Sequence, residues 1–337
     1  MKEAMLYEML TDSRVQCNLC NHRCTIKDGN FGTCGVRKNI DGSLFSLVYD
    51  KIVAAHIDPI EKKPLFQFYP GSKAYSIATV GCNFRCMHCQ NADISQFTRE
   101  RKGYIVGDKV RPEDVVKDAG SSGCKSIAYT YTEPTIFFEL SYDTAKIAHA
   151  KGIKNVFVSN GFMTPEALKE ISPYLDGINI DLKAFTEKFY REICGARLEP
   201  VLDNIKLARE LGIWVEVTTL VIPTLNDSPE ELRQIAEFIR DLDSNIPWHI
   251  SQFYPTFKMN QLPRTPVETL HMARKIGLNA GLHYVYEGNV PGKGNENTYC
   301  HNCGNLLIDR WGYSILKNIT ENGHCPSCKS SIAGVGI

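Results

Sequence analysis

Residues 73–91 read KAYSIATVGCNFRCMHCQN: an apolar run closing at Val80, then Cys82, Cys86 and Cys89 at C-x3-C-x2-C spacing. The run reads as a β-strand, and the cysteines follow it at the end where parallel βα architectures collect ligands. Three thiolates on a four-iron cluster leave one iron without a protein ligand. Chemistry needs such an open position, whereas structural sites fill every one. A zinc site, or a cluster that borrows His88 as its fourth ligand, is the competing reading. His88 lies inside the loop, no other cysteine is near in sequence, and an aromatic residue, Phe84, sits among the ligands. These features favour the open [4Fe-4S] cluster.

Outward from this stretch, apolar runs of five to eight residues alternate with helical patterns, as repeated βα units do. After the first strand, candidates end at Tyr131, Ser159, Leu182, Leu220 and Phe253, and HYVYEG supplies a last one. Helix starts are marked by Arg111-Pro112-Glu113, Thr164-Pro165-Glu166, Ser228-Pro229-Glu230 and Thr265-Pro266-Val267, each placing Pro at the first helical position. The expected fold is α/β: a partial (β/α)6 TIM-like barrel over residues 71–290. A Cys-rich module and lead-in over 1–70 would precede it. A four-cysteine, zinc-ribbon-like module over 291–337 would follow the Gly-rich linker NVPGKGNEN. The first cysteine segment lacks strand or helix periodicity, and two short strands are expected in the lead-in from Asn39 to about Ser72, which contains DPIEKKPLFQFYPGS.

Lys plus Arg and Asp plus Glu each number 38 in 337 residues, so no global field draws the chain to nucleic acid or anionic lipid. No stretch approaches the roughly 18 apolar residues of a membrane span, and the first residues hold no apolar signal core; a cytoplasmic location is expected. Eleven of the 13 cysteines fall into three tight groups, which points to metal rather than disulfides.

The triad loop resembles that of the radical S-adenosylmethionine (SAM) superfamily over about residues 73–287. The resemblance implies that SAM chelates the open iron through its amino and carboxylate groups. An electron from the reduced cluster then yields methionine and a 5′-deoxyadenosyl radical. It also implies roles for residues at the strand ends. Glu133-Pro134 in YTYTEP matches the end of the family's Gly-Gly-Glu-Pro sequence, without the two glycines. Ser159-Asn160-Gly161 resembles the Thr-Asn-Gly found near the SAM ribose in pyruvate formate-lyase activating enzymes. Asp181-Leu182-Lys183 matches their Asp-Leu-Lys, and strand alternation turns Asp181 and Lys183 the same way. The cofactor-binding set is therefore Phe84, Glu133, Ser159, Asn160, Asp181, Lys183 and Thr218, with Asp181 and Lys183 as catalytic candidates. A plain salt bridge is the competing reading of Asp181 with Lys183. His249, Gln252 and Tyr254 are weaker substrate-facing candidates, Asn226-Asp227 reads as a turn, Cys124 as a buried small hydrophobe, and Cys194 is unassigned.

Cys300-x2-Cys303 and Cys325-x2-Cys328 form a zinc-ribbon signature, with a rubredoxin-like iron site as the alternative. Cys17, Cys20, Cys24 and Cys34 are less regular. They could hold zinc or an auxiliary Fe–S cluster, or serve only in part, and a structural metal is expected there.

CNLCNHRC, GTCGVRKN, DPIEKKPLFQFYPGS, TVGCNFRCMHCQNADISQ, YTYTEPTIFFE, SNGFM, NIDLKAF, VTTLVIPTLND, YEGNVPG and the terminal ribbon together resemble the radical SAM branch of the AmmeMemoRadiSam system, related to pyruvate formate-lyase activating enzymes. That resemblance implies Memo-like and AMMECR-like partner proteins and a low-potential donor of flavodoxin or ferredoxin type. It names no substrate. Three functions compete: hydrogen abstraction from a small molecule, glycyl-radical activation of a partner enzyme, and a non-enzymatic Fe–S or zinc RNA-binding or sensing role. Neutral charge disfavours the last.

Overall fold

The computed structural model describes residues 1–101, 103–290 and 295–337. Its centre is an eight-stranded sheet whose strands lie in sequence order: β1 (Ala54–Pro59), β2 (Lys73–Ala78), β3 (Ser126–Tyr129), β4 (Lys154–Ser159), β5 (Gly177–Asp181), β6 (Trp214–Val221), β7 (Trp248–Gln252) and β8 (Val285–Gly288). All neighbours run parallel except the edge pair β1 and β2. Six helices connect the seven parallel strands: α1 (Pro112–Ser121), α2 (Phe138–Ala150), α3 (Pro165–Ile171), α4 (Glu199–Glu210), α5 (Pro229–Leu242) and α6 (Val267–Asn279). Ser126 through Tyr129 and Gly177 through Ile180 are buried without alternation, as expected for parallel strands covered on both faces.

The strand ends and helix starts read from the sequence agree with these elements to within two residues. Thr164 and Ser228 cap α3 and α5, accepting from the Ala167 and Glu231 amides. One start differs: Pro266 is the cap of α6, and Val267 is its first helical residue. β3 stops at Tyr129 because the chain turns back; Tyr131 has φ of 63°, left-handed backbone that no strand continues through. Gly81, with φ of 97°, marks the corresponding turn after β2.

The N-terminal cysteine segment does contain strands, contrary to the sequence reading. Lys2–Glu3, Ser43–Ser46 and Arg37–Ile40 form one antiparallel sheet, and Tyr7–Met9, Val15–Cys17 and Thr25–Ile26 a second. Strands of two to four residues are too short to show a period. The lead-in supplies β1 and then crosses one face of the sheet. The amides of Phe66 and Gln67 donate to Glu216 on β6 at 2.9 and 2.8 Å, and Asn179 on β5 donates to the Pro64 carbonyl at 2.8 Å. Gly177 leaves room for the crossing, since a Cβ there would lie 3.1 Å from the Phe68 ring and press it aside.

The C-terminal strands Thr298–Tyr299, Leu306–Trp311 and Ser314–Asn318 form an antiparallel sheet. Its Leu307 and Ile308 pack with Phe66, Tyr284 and Tyr286. The buried Arg310 donates to the Phe66 carbonyl at 2.8 Å and stacks 4.6 Å over its ring. The C-terminal segment is thus packed on the lead-in and beside β8, and the N-terminal segment is bonded to the loop after β4, where the Asn21 amide donates to the Phe162 carbonyl at 2.9 Å. Among the described residues, no helix is long and apolar enough to cross a membrane.

Candidate active site

The carboxyl ends of β2 to β6 surround a cavity of about 490 Å³. Cys82, Phe84, Cys86, Cys89, Glu133, Ser159, Asn160, Asp181, Lys183 and Thr218 all line it, so every residue of the triad and cofactor-binding set meets in one place. The chain brings them together because parallel strands in sequence order end on one side of the sheet, each delivering residues from its carboxyl-terminal half or its following turn.

The cysteine loop is held by backbone bonds to a π-helical turn, Tyr190–Cys194. Arg85 and Met87 donate to the Cys194 and Ile193 carbonyls at 2.9 and 3.0 Å. The Phe84 amide approaches the Cys82 Sγ at 3.4 Å, and Ser95 lies 3.1 Å from the Cys89 Sγ. Burial pushes the Cys82 and Cys89 thiols above their ordinary range, the nearby Glu133 adding to the rise at Cys82. Metal binding must therefore displace protons. Cys86 is shifted the other way, chiefly by a hydrogen bond from Cys194 and, against burial, by the Lys183 ammonium.

Glu133 is buried and heavily used. Its Oε1 accepts from the Thr135 amide and hydroxyl and from Ser159 Oγ at 2.8 Å; its Oε2 accepts from the Asn160 amide at 2.7 Å. Burial raises its pKa, and these four bonds oppose the rise. Asn160 in turn donates to Asn83 Oδ1 at 2.7 Å, tying the end of β4 to the cysteine loop. Lys183 Nζ pairs with Asp181 Oδ2 at 2.7 Å. Burial would lower the Lys183 pKa, but Asp181 and the Cys86 and Cys194 sulfurs carry it well above the ordinary value. Thr218 Oγ1 is buried in the cavity wall with no hydrogen-bond partner.

The donor set fits an open iron–sulfur cluster. Three thiols share the cavity wall, and no fourth cysteine lines it among the described residues. His88 also lines the wall, with its buried Nδ1 unpartnered, and burial followed by Lys183 lowers its pKa to about 3, leaving a neutral imidazole.

The weaker substrate-facing candidates lie elsewhere. His249 is buried behind the wall, its Nε2 2.6 Å from Glu216 and its ring edge-on to Phe66 at 4.7 Å. Gln252 donates to the Thr265 carbonyl, and the exposed Tyr254 to that of Asn289. Asn226 does more than turn the chain: its amide donates to the Lys183 carbonyl at 2.6 Å and so braces the site. Cys124 is buried as a small hydrophobe. Sequence reasoning missed Lys62, Lys63, Tyr131 and Tyr313 on the cavity wall. Lys63 and Tyr131 both reach Asp58, Lys63 at 2.7 Å. The one usable signal was DPIEKKP, two acids and two lysines within seven residues.

At the C-terminus, Cys300, Cys303, Cys325 and Cys328 bring their sulfurs within 4.8 Å of one another. The Cys300–Cys328 and Cys303–Cys325 separations are 3.5 and 3.7 Å. A thiolate tetrahedron around zinc at about 2.3 Å has edges of roughly 3.8 Å.

The sequence model of the radical SAM superfamily matches residues 76–239. Uncharacterized protein MJ0808 of Methanocaldococcus jannaschii is 47% identical over 335 residues, covering 98% of this chain and 99% of that protein. The pyruvate formate-lyase-activating enzyme of Clostridium pasteurianum is 25% identical over 171 residues, covering 48% of this chain and 67% of the other. Among solved structures, Streptococcus suis SuiB bound to S-adenosylmethionine superimposes with a TM-score of 0.51 at 13% identity, over 68% of this chain and 53% of that one, and so shares the fold. The matched segment contains the cysteine triad and every other residue gathered at the cavity from β2 to β6, and the chain belongs to the radical SAM superfamily of enzymes.

Proposed function

We propose that this protein reductively cleaves SAM at a [4Fe-4S] cluster held by Cys82, Cys86 and Cys89 and directs the product radical at a small-molecule substrate. The observation that carries this reading is the convergence of the three thiols with Glu133, Ser159, Asn160, Asp181, Lys183 and Thr218 on a single cavity. When bound, the reduced cluster supplies the electron that splits SAM into methionine and a 5′-deoxyadenosyl radical able to take hydrogen from substrate.

The protein's own residues bind and orient. Lys183 and Asp181 form a polar wall that would hold the carboxylate and amino groups of SAM, and Thr218 offers an unused hydroxyl. Glu133 and Asn160 fix the wall nearest the cysteine loop. Phe84, packed edge-on to Phe162 at 5.2 Å, shields the loop from water.

Lys62, Lys63 and Pro64 from the lead-in and Tyr313 from the C-terminal module also line the cavity. A site walled by both flanking segments favours a small molecule over a peptide loop inserted from a partner. Likeness to a pyruvate formate-lyase-activating enzyme motivates the activase alternative. The parallel sheet is read as a partial barrel, with 1–70 and 291–337 as flanking modules and zinc at the C-terminal quartet. Placement in the AmmeMemoRadiSam branch, with Memo-like and AMMECR-like partners, a flavodoxin or ferredoxin donor and a cytoplasmic location, completes the proposal.

Anaerobic reconstitution with iron and sulfide, reduction, and chromatography for 5′-deoxyadenosine test it beside Cys86→Ala. Product in the wild type alone supports the reading; no product from a protein with an intact cluster opposes it. Incubation of active enzyme with the small-molecule fraction and, separately, the protein fraction of a cell extract distinguishes the substrate classes by which one accelerates 5′-deoxyadenosine formation.

A further inference from the structure

We propose that Cys17, Cys20, Cys24 and Cys34 hold a second, polynuclear iron–sulfur cluster rather than a zinc ion. All four line one enclosed cavity with Leu19, Arg37 and Ile136. The four sulfurs of the C-terminal quartet lie within 4.8 Å of one another, a spacing that suits a single metal ion. Among the described residues no three sulfurs of the N-terminal quartet are that close, so the quartet is wider than a tetrahedron around one ion. A cluster in which several irons and bridging sulfides separate the thiolates fits that spacing.

Arg37 is the second observation. It is 1% exposed and lines the same cavity. Its Nη2 donates to Glu139 and to the Met5 carbonyl, whereas Nε and Nη1 have no partner. A buried guanidinium with idle N–H groups calls for an anionic acceptor. A thiolate-bound iron–sulfur cluster is negative and carries sulfur acceptors on several sides, and hydrogen bonds to those sulfurs tune its potential. The Thr33 amide already donates to Cys24 Sγ at 3.5 Å.

The quartet also adjoins the triad. Arg99 Nη2 bridges the Thr33 and Cys82 carbonyls at 3.0 and 2.8 Å, and Thr98 Oγ1 donates to the Cys34 carbonyl at 3.2 Å. The two cysteine sites are therefore linked through Thr98 and Arg99.

The test uses the full chain carrying Cys82→Ala, Cys86→Ala and Cys89→Ala, reconstituted anaerobically, with iron, acid-labile sulfide and zinc measured per chain and the dithionite-reduced protein examined by electron paramagnetic resonance. The expected result is about two to four irons with matching sulfide and a cluster signal, lost on adding Cys20→Ser. Zinc at a second site, or no sulfide-bound iron, overturns the proposal. If the triple variant does not fold, wild type is compared with Cys20→Ser. A deficit of iron and sulfide in that variant supports the proposal, and equal content overturns it. Neither readout depends on SAM cleavage.

Discussion

Lys183 Nζ lies 2.7 Å from Asp181 Oδ2, and the Lys183 backbone is pinned from two sides, its amide donating to the Tyr190 hydroxyl at 3.1 Å and its carbonyl accepting from Asn226. Asp181 keeps 35% of its side chain exposed, so the pair contributes little to stability in water. Backbone bracing of so weak a pair makes sense if the ammonium must stand at a fixed place for something else.

Lys183→Met is accordingly expected to melt near the wild type while binding SAM at least tenfold more weakly, about 1.4 kcal/mol. Equilibrium binding to the reconstituted protein, alongside thermal unfolding, checks this. Unchanged affinity would mean that the pair is only a salt bridge.

Glu133→Gln should act on both fold and site. The amide replaces an acceptor oxygen with an NH2 group, which must face either the Asn160 amide or the donors of Thr135 and Ser159. One buried donor loses its acceptor, costing about 1–3 kcal/mol. Thermal unfolding should register that loss as a fall of several degrees, with slower SAM cleavage because Asn160 and its contact to Asn83 are released.

Thr218→Val separates binding from stability more cleanly. The hydroxyl is buried without a partner, so its removal should leave unfolding unchanged or raise the midpoint slightly. If SAM supplies the missing partner, the KM for SAM rises about two- to tenfold, the worth of a neutral hydrogen bond. An unaltered KM would place Thr218 outside the binding set.

The strands and helix starts were legible because each is a local signal, an apolar run or a Pro behind a cap, whereas the cofactor-binding residues were named through the resemblance of their motifs to the radical SAM family. Alternation alone turned Asp181 and Lys183 to the same wall. The lead-in was not legible, because its conformation is set by groups far along the chain. Glu216, on β6, satisfies the Phe66 and Gln67 amides together with His249 and Trp214. The partner of His249 was hidden for the same reason, since nothing in WHISQF reveals a carboxylate waiting on the neighbouring strand. Lys62 and Lys63 reach the cavity only through that placement.

Loss of the zinc proposed at the C-terminal cysteines should propagate to the site. Cys300 and Cys325 belong to the apolar cluster that includes Leu307, Ile308, Phe66, Tyr284 and Tyr286, so two of the four clustered cysteines and the segment's core are one structure. Structural zinc supplies about 10–16 kcal/mol in small modules, far more than so few apolar residues can. Cys303→Ser with Cys328→Ser is expected to lose about one zinc ion per chain. Protease should then cut within the module, where the wild type resists. The same variant should turn over more slowly, because Tyr313 leaves the cavity wall and Arg310 releases the Phe66 carbonyl, while the triad cluster still assembles. Zinc analysis, limited proteolysis and 5′-deoxyadenosine yield measure the three effects separately. Intact proteolytic resistance in a zinc-free variant would show that packing on Phe66 alone holds the module in place.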